Sequence, residues 1–149
     1  MIEREQYLRF CDGALTAMAD IVTGLGDDLA NRRPDLHGAN SPVQILTHCL
    51  GVTAWWAGAV NLGRPVTRDR DAEFEAVCRV DDLAVDVERA RQQLHDDVAA
   101  ADPGAEPVQR EHLHEYRTQG AVLLHVYEEL AQHRGQMEIT RDVLLAAAG

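Results

Sequence analysis

The segment reading His125-Val126-Tyr127-Glu128-Glu129-Leu130-Ala131-Gln132-His133-Arg134-Gly135-Gln136-Met137-Glu138-Ile139-Thr140-Arg141 decides the fold, because its apolar residues return at helical spacing. With 100° per residue and Glu129 at zero, Val122, Val126, Leu130, Met137 and Leu144 fall between roughly 20° and 100°. That arc is a core-facing stripe. His133 lies inside it at about 40° and Glu129 on its margin, whereas Glu128, Arg134, Glu138 and Asp142 fall well outside. One carboxylate and one imidazole therefore share the inner side of a helix whose other charges face water. An uncompensated carboxylate there costs several kcal/mol or takes up a proton, so it needs a partner. Residues four apart are neighbours on a helix and can reach one ion together.

A second helix supplies a third donor. Ser41 as N-cap, Pro42 at the first helical position and Gln44 at the third form a capping box, and the helix runs to about Leu62, where Gly63 and Pro65 stop it. His48 sits in its apolar stripe with Ile45, Val52, Trp55 and Ala59, and Gly51, one turn along, leaves room beside it. An imidazole in that stripe must hydrogen-bond or coordinate something. Taken singly, a helical histidine on an apolar face is more often a satisfied core residue, and a Glu–His pair four apart is often a plain ion pair. Together, His48, Glu129 and His133 form the ligand set of a divalent metal, and three ligands leave one position open for chemistry. His125 is spaced evenly with the other two, but eight residues, or about 12 Å of rise, separate it from His133. It reads as a residue at the mouth of the site or supporting it, and one tryptophan ring, Trp55, could wall a pocket there.

Two further helices complete the pattern. Residues near 2 to 26 place Tyr7, Cys11, Leu15, Met18, Val22 and Leu25 on one stripe, and about Asp81 to Ala101 does the same with Leu83, Val87, Ala90, Leu94 and Val98. The last helix spans about Thr118 to Ala147. Between the second and third lies a polar crossover, Arg64 to Arg79, whose Phe74, Val77 and Cys78 are expected to be buried; residues 108 to 117 are ambiguous. The expected fold is all-α, a single-domain four-helix bundle over residues 1–149 with a long crossover connection. Di-iron chemistry is not expected, since that needs Glu-x-x-His on two helices and no such pair occurs.

Charge and cysteine usage narrow the function classes. The net charge of -11, from 14 arginines and no lysine against 25 acidic residues, repels phosphate backbones and anionic membranes, and the arginines form no stripe. Three cysteines without a CxxC pair fit a reducing cytosol. Cys11 and Cys78 read as small core residues, and Cys49 points away from His48. His37 and His95 have no visible partners, and His112 and His114 read as a polar surface segment. Residues Met1 to Phe10 lack the apolar run of a signal peptide, and no stretch approaches the roughly 20 apolar residues of a membrane span. A cytoplasmic protein is expected.

Four stretches, taken together, resemble a known family: Ser41-Pro42-Val43-Gln44-Ile45-Leu46-Thr47-His48, Trp55-Trp56, Asp69-Arg70-Asp71-Ala72-Glu73-Phe74, and His125 to Arg141. They resemble the DinB-like superfamily, in the branch of the mycothiol-dependent maleylpyruvate isomerase N-terminal domain and related thiol S-transferases. The resemblance implies a DinB-like four-helix bundle holding a metal, commonly zinc, at His48, Glu129 and His133 near its open end, and frequent homodimers. Glu129, where many relatives have histidine, resembles the actinobacterial mycothiol branch. The sequence given stops at Gly149 without the isomerase's extra C-terminal domain, which counts against the isomerase reaction. For a transferase of this branch the resemblance implies that a low-molecular-weight thiol, with mycothiol foremost, is activated for attack on an electrophilic small molecule. Metal-assisted hydrolysis and a non-catalytic metal-binding stress-response bundle are the alternatives.

Overall fold

The computed structural model describes residues 3–112 and 114–149, with the backbone alone at His112. The first long helix, α1, spans Arg4–Ala30 and is broken at Gly26, whose φ of 69° and ψ of 173° only glycine adopts readily. That break falls where the sequence pattern ends. The second, α2, spans Pro42–Thr53 and carries the expected capping box: the Ser41 hydroxyl accepts from Gln44 N at 3.2 Å, and the Gln44 side-chain Oε1 accepts from Ser41 N at 3.0 Å.

Instead of continuing as α-helix to Leu62, α2 widens into a π-helical segment, Ala54–Val60. An apolar run looks alike at either pitch, so the sequence pattern did not distinguish them; single π-turns recur at functional sites and rotate the side chains that follow. Gly63, at φ 68°, ends the helix. By length and composition Pro42–Val60 could cross a membrane, but two thirds of it is buried in the bundle, at 67%, and it forms the core. Two ties hold this end in place. Asn61 and Gln119 exchange side chain to backbone bonds at 3.1 and 3.2 Å, which sets the start of the last helix against the end of α2. Arg64 donates twice to the buried Asp97 carboxylate, at 2.7 and 3.1 Å, which joins α2 to the fourth helix.

The crossover is ordered around a short helix, α3, Arg70–Glu73, capped by Asp69. Phe74 and Cys78 are half-buried, but Val77 is 75% exposed, contrary to the expected burial of all three: nothing packs over its face of the connection. Both ends of the connection are anchored. Arg33 donates to Phe74 O at 2.7 Å and to Gln44 Oε1 at 3.1 Å, while Asn31 brackets Cys78 with bonds to its carbonyl and its N–H.

Helix α4 spans Val80–Ala100, and α5 spans Gln119–Ala148 behind the Thr118 cap. Each of α1 and α2 packs against both α4 and α5, and Leu15, Met18, Ile45, Leu46, Leu94, Leu130 and Met137 fill the centre. The described residues are thus all-helical, as expected, and a 3-10 turn, Arg110–His112, occupies part of the ambiguous stretch.

Candidate metal centre

The apolar arc of α5 is buried as expected, and it leaves Glu129 and His133 at the rim with side chains 25% and 24% exposed; His48 of α2, at 5%, lies deeper. The three converge. Glu129 Oε2 stands 3.6 Å from His48 Nε2 and 3.5 Å from His133 Nε2, and one donor atom from each residue lies within 4.8 Å of the others. The two imidazoles meet edge to face with centroids 4.9 Å apart.

Those separations are longer than hydrogen bonds and suit donors that share one ion. At 3.5 and 3.6 Å, neither imidazole makes a good hydrogen bond to Glu129. Two donors each about 2.0–2.2 Å from one tetrahedral ion lie about 3.3–3.6 Å apart. The other ring nitrogens, by contrast, are engaged: His48 Nδ1–H donates to Glu73 Oε2 at 2.9 Å, and His133 Nδ1–H donates to Gln136 Oε1 at 2.8 Å. With the proton of each ring on Nδ1, an Nε2 lone pair faces Glu129 from both. Two neutral imidazoles and one carboxylate fit a borderline divalent ion, and His48, Glu129 and His133 are the residues that could hold it.

Glu73 of the crossover also meets His48, although no periodicity marks a residue in an irregular connection. Its buried carboxylate also accepts from Arg68 Nε at 2.7 Å and Nη2 at 3.0 Å. Gly51 makes this approach possible, since a Cβ at that position would run into the Glu73 carboxylate. The room beside His48 is therefore filled by an acid and a guanidinium. Phe74, next along, stacks on the His48 ring at 4.9 Å.

His125 is half-buried one turn before Glu129, with Nδ1 3.4 Å from Glu128 Oε2. It stacks on Tyr116 at 4.8 Å, and both rings meet Trp56 edge-on. Trp56, rather than Trp55, makes the ring contacts with His125; Trp55 is half-buried in the π segment. Tyr116 comes from the stretch the sequence left ambiguous. Burial, then the charges of Glu115, Glu128 and Glu129, raise its hydroxyl pKa.

The remaining chemistry-bearing residues lie elsewhere. Cys49 follows His48 in the chain but faces inward, its thiol 3.9 Å from Met18 Sδ, and burial, then the carboxylates of Glu129 and Glu73, push its pKa above the usual range. Cys11 is buried as well, while Cys78 is only half-buried. His95, expected to lack a partner, meets the Asp12 carboxylate at 2.9 Å, across a helix pair the sequence could not align. His114 is exposed; the side chain of His112 lies outside the described residues.

A family model described as mycothiol-S-transferase matches residues 6–145. The chain belongs to that family. No curated protein matches it. Membership makes this bundle one of a mycothiol-related transferase family, as the four sequence stretches implied, and His48, Glu129 and His133 all fall within the matched residues.

Proposed function

We propose that the protein is a thiol S-transferase dependent on a divalent metal, with zinc the ion best suited to the donors, acting on mycothiol or a related low-molecular-weight thiol. The supporting observation is the convergence of His48 Nε2, Glu129 Oε2 and His133 Nε2 at ion-sharing rather than hydrogen-bonding separations. A bound ion of this kind supplies a Lewis acid with a position to spare, which stabilises the thiolate form of a thiol over its protonated form.

The chain's own residues define the rest of the site. Glu129 brings the single negative charge of the ligand set, so a divalent centre keeps net positive charge toward an incoming anion. The contacts of His48 Nδ1 with Glu73 and of His133 Nδ1 with Gln136 favour the tautomer that leaves each Nε2 as the donor. The partly exposed side of Glu129 and His133 is the way in for substrates, and Trp56, Tyr116 and His125 form an aromatic wall along it. The reacting thiol comes from outside the chain, because Cys49, the cysteine nearest the site in sequence, is buried and turned to the core. In the reaction the thiol sulfur forms a bond to an electrophilic carbon of a small molecule as the bond from that carbon to a leaving group breaks; the electron pair departs with the leaving group, and the thiol proton goes to solvent or to that group. A cytoplasmic homodimer is the setting we propose from the resemblance.

The test is conjugation. Purified protein loaded with one equivalent of zinc is expected to accelerate coupling of a test electrophile to mycothiol, followed by loss of free thiol and by mass spectrometry of the thioether. Bacillithiol, glutathione and cysteine serve as competing thiols. No acceleration with any of the four overturns the transferase reading.

A further inference from the structure

Glu73 lies 25 residues from His48 in the sequence, in a connection that the bundle itself does not require to be long. It is buried and ionisable, and burying such a group without compensation costs several kcal/mol. Three charged or polar hydrogen bonds compensate it: two from Arg68 and one from His48 Nδ1–H. The fit is specific, because Gly51 omits the side chain that would occupy the carboxylate's place. The connection is fastened on both sides of this residue, by the Asp69 cap before it and by Arg33 on the Phe74 carbonyl after it.

We propose that Glu73, gripped by Arg68 and seated against Gly51, is the positioning residue for His48: it holds the proton on Nδ1 and fixes the ring so that Nε2 faces Glu129 and His133. This rests on the ligand reading above. A half-turn of the ring about its Cβ–Cγ bond would put Cε1 in place of Nε2 at the site and Cδ2 in place of Nδ1 at Glu73, so the donor would be lost. Phe74 stacked on the same ring limits that rotation from the other side. His133 is held differently, through the neutral amide of Gln136 on its own helix, so the two imidazoles have unequal support. Hydrogen-bond partners of ligating histidines of this kind are worth about 10- to 100-fold in metal affinity.

The experiment compares Glu73→Leu and Glu73→Gln with the unsubstituted chain by two readouts. Zinc affinity is measured by competition with a chromophoric chelator, and the His48 tautomer by nitrogen-15 shifts of the metal-free protein. Glu73→Leu is expected to lose about 10- to 100-fold in affinity and to show a mixture of tautomers. Glu73→Gln, which keeps an accepting oxygen, is expected to retain the Nδ1–H form and most of the affinity. Where Glu73→Leu does not fold by circular dichroism, Gly51→Ala displaces the same carboxylate and is expected to lower affinity likewise. Unchanged affinity in a folded variant with the Nδ1–H tautomer intact overturns the proposal, as does an Nε2–H tautomer in the unsubstituted protein. Failure of the unsubstituted chain to bind zinc would instead defeat the ligand assignment, and the tautomer measurement would still decide the role of Glu73.

Discussion

His48 carries the deepest of the three donors, so its removal separates metal binding from folding most cleanly. His48→Ala is expected to lose stoichiometric metal by elemental analysis while keeping its helical circular dichroism, because Ala suits a helix interior and the surrounding stripe stays apolar. The cysteines give an independent check on the core. Burial, slightly offset by the Tyr7 hydrogen bond, pushes the Cys11 thiol from 9.0 up to about 12, and burial raises Cys49 and the Tyr7 hydroxyl as well. These groups keep their protons when folded at a pH where the unfolded chain releases them. Stability from them is therefore complete below about pH 9 and falls as pH rises toward 12, so the urea midpoint is expected to drop steadily above pH 9. In a thiol-labelling experiment at pH 8, half-buried Cys78 is expected to react first, with Cys11 and Cys49 protected until unfolding. His48, Glu129 and His133 were legible as candidates because His48 and His133 interrupt regular apolar stripes and Glu129 borders one, four residues from His133. Glu73, Arg68 and Tyr116 were not, since irregular chain offers no period against which a residue stands out.

The helices were legible where a local signal started or stopped them. Ser41, Pro42 and Gln44 announce α2; in the structure, the Ser41 and Thr118 hydroxyls each accept from the N–H three residues on, at the start of α2 and of α5. Ser41→Ala is expected to cost about 1 kcal/mol in urea denaturation and to leave metal content unchanged. The π segment escaped notice because its pitch depends on packing rather than on residue type. Gly58 lies within it, and a Cβ there would meet the Arg64 guanidinium that caps buried Asp97. Gly58→Ala is therefore expected to destabilise by about 1–3 kcal/mol, despite the better helix propensity of Ala, by leaving a buried acceptor short of partners. A thermal midpoint equal to that of the unsubstituted chain would contradict this account of the joint.

At the scale of the whole molecule, four periodic stripes were enough to read an all-helical bundle, because each must bury its apolar side against the others. The order of contacts was less legible: which helices touch depends on ties such as Asn61 to Gln119 and Asn31 to Cys78, which pair residues far apart in sequence. The site forms where Glu73 of the crossover meets His48 of α2 and His48 meets Glu129 and His133 of α5, and the transferase reading depends on that convergence. The most direct test is an anomalous difference map at the zinc absorption edge, from crystals of zinc-loaded protein. One peak per chain is expected about 2.0–2.2 Å from His48 Nε2, His133 Nε2 and Glu129 Oε2. Anomalous signal only at other residues, with these three side chains bonded to one another or turned apart, would contradict it.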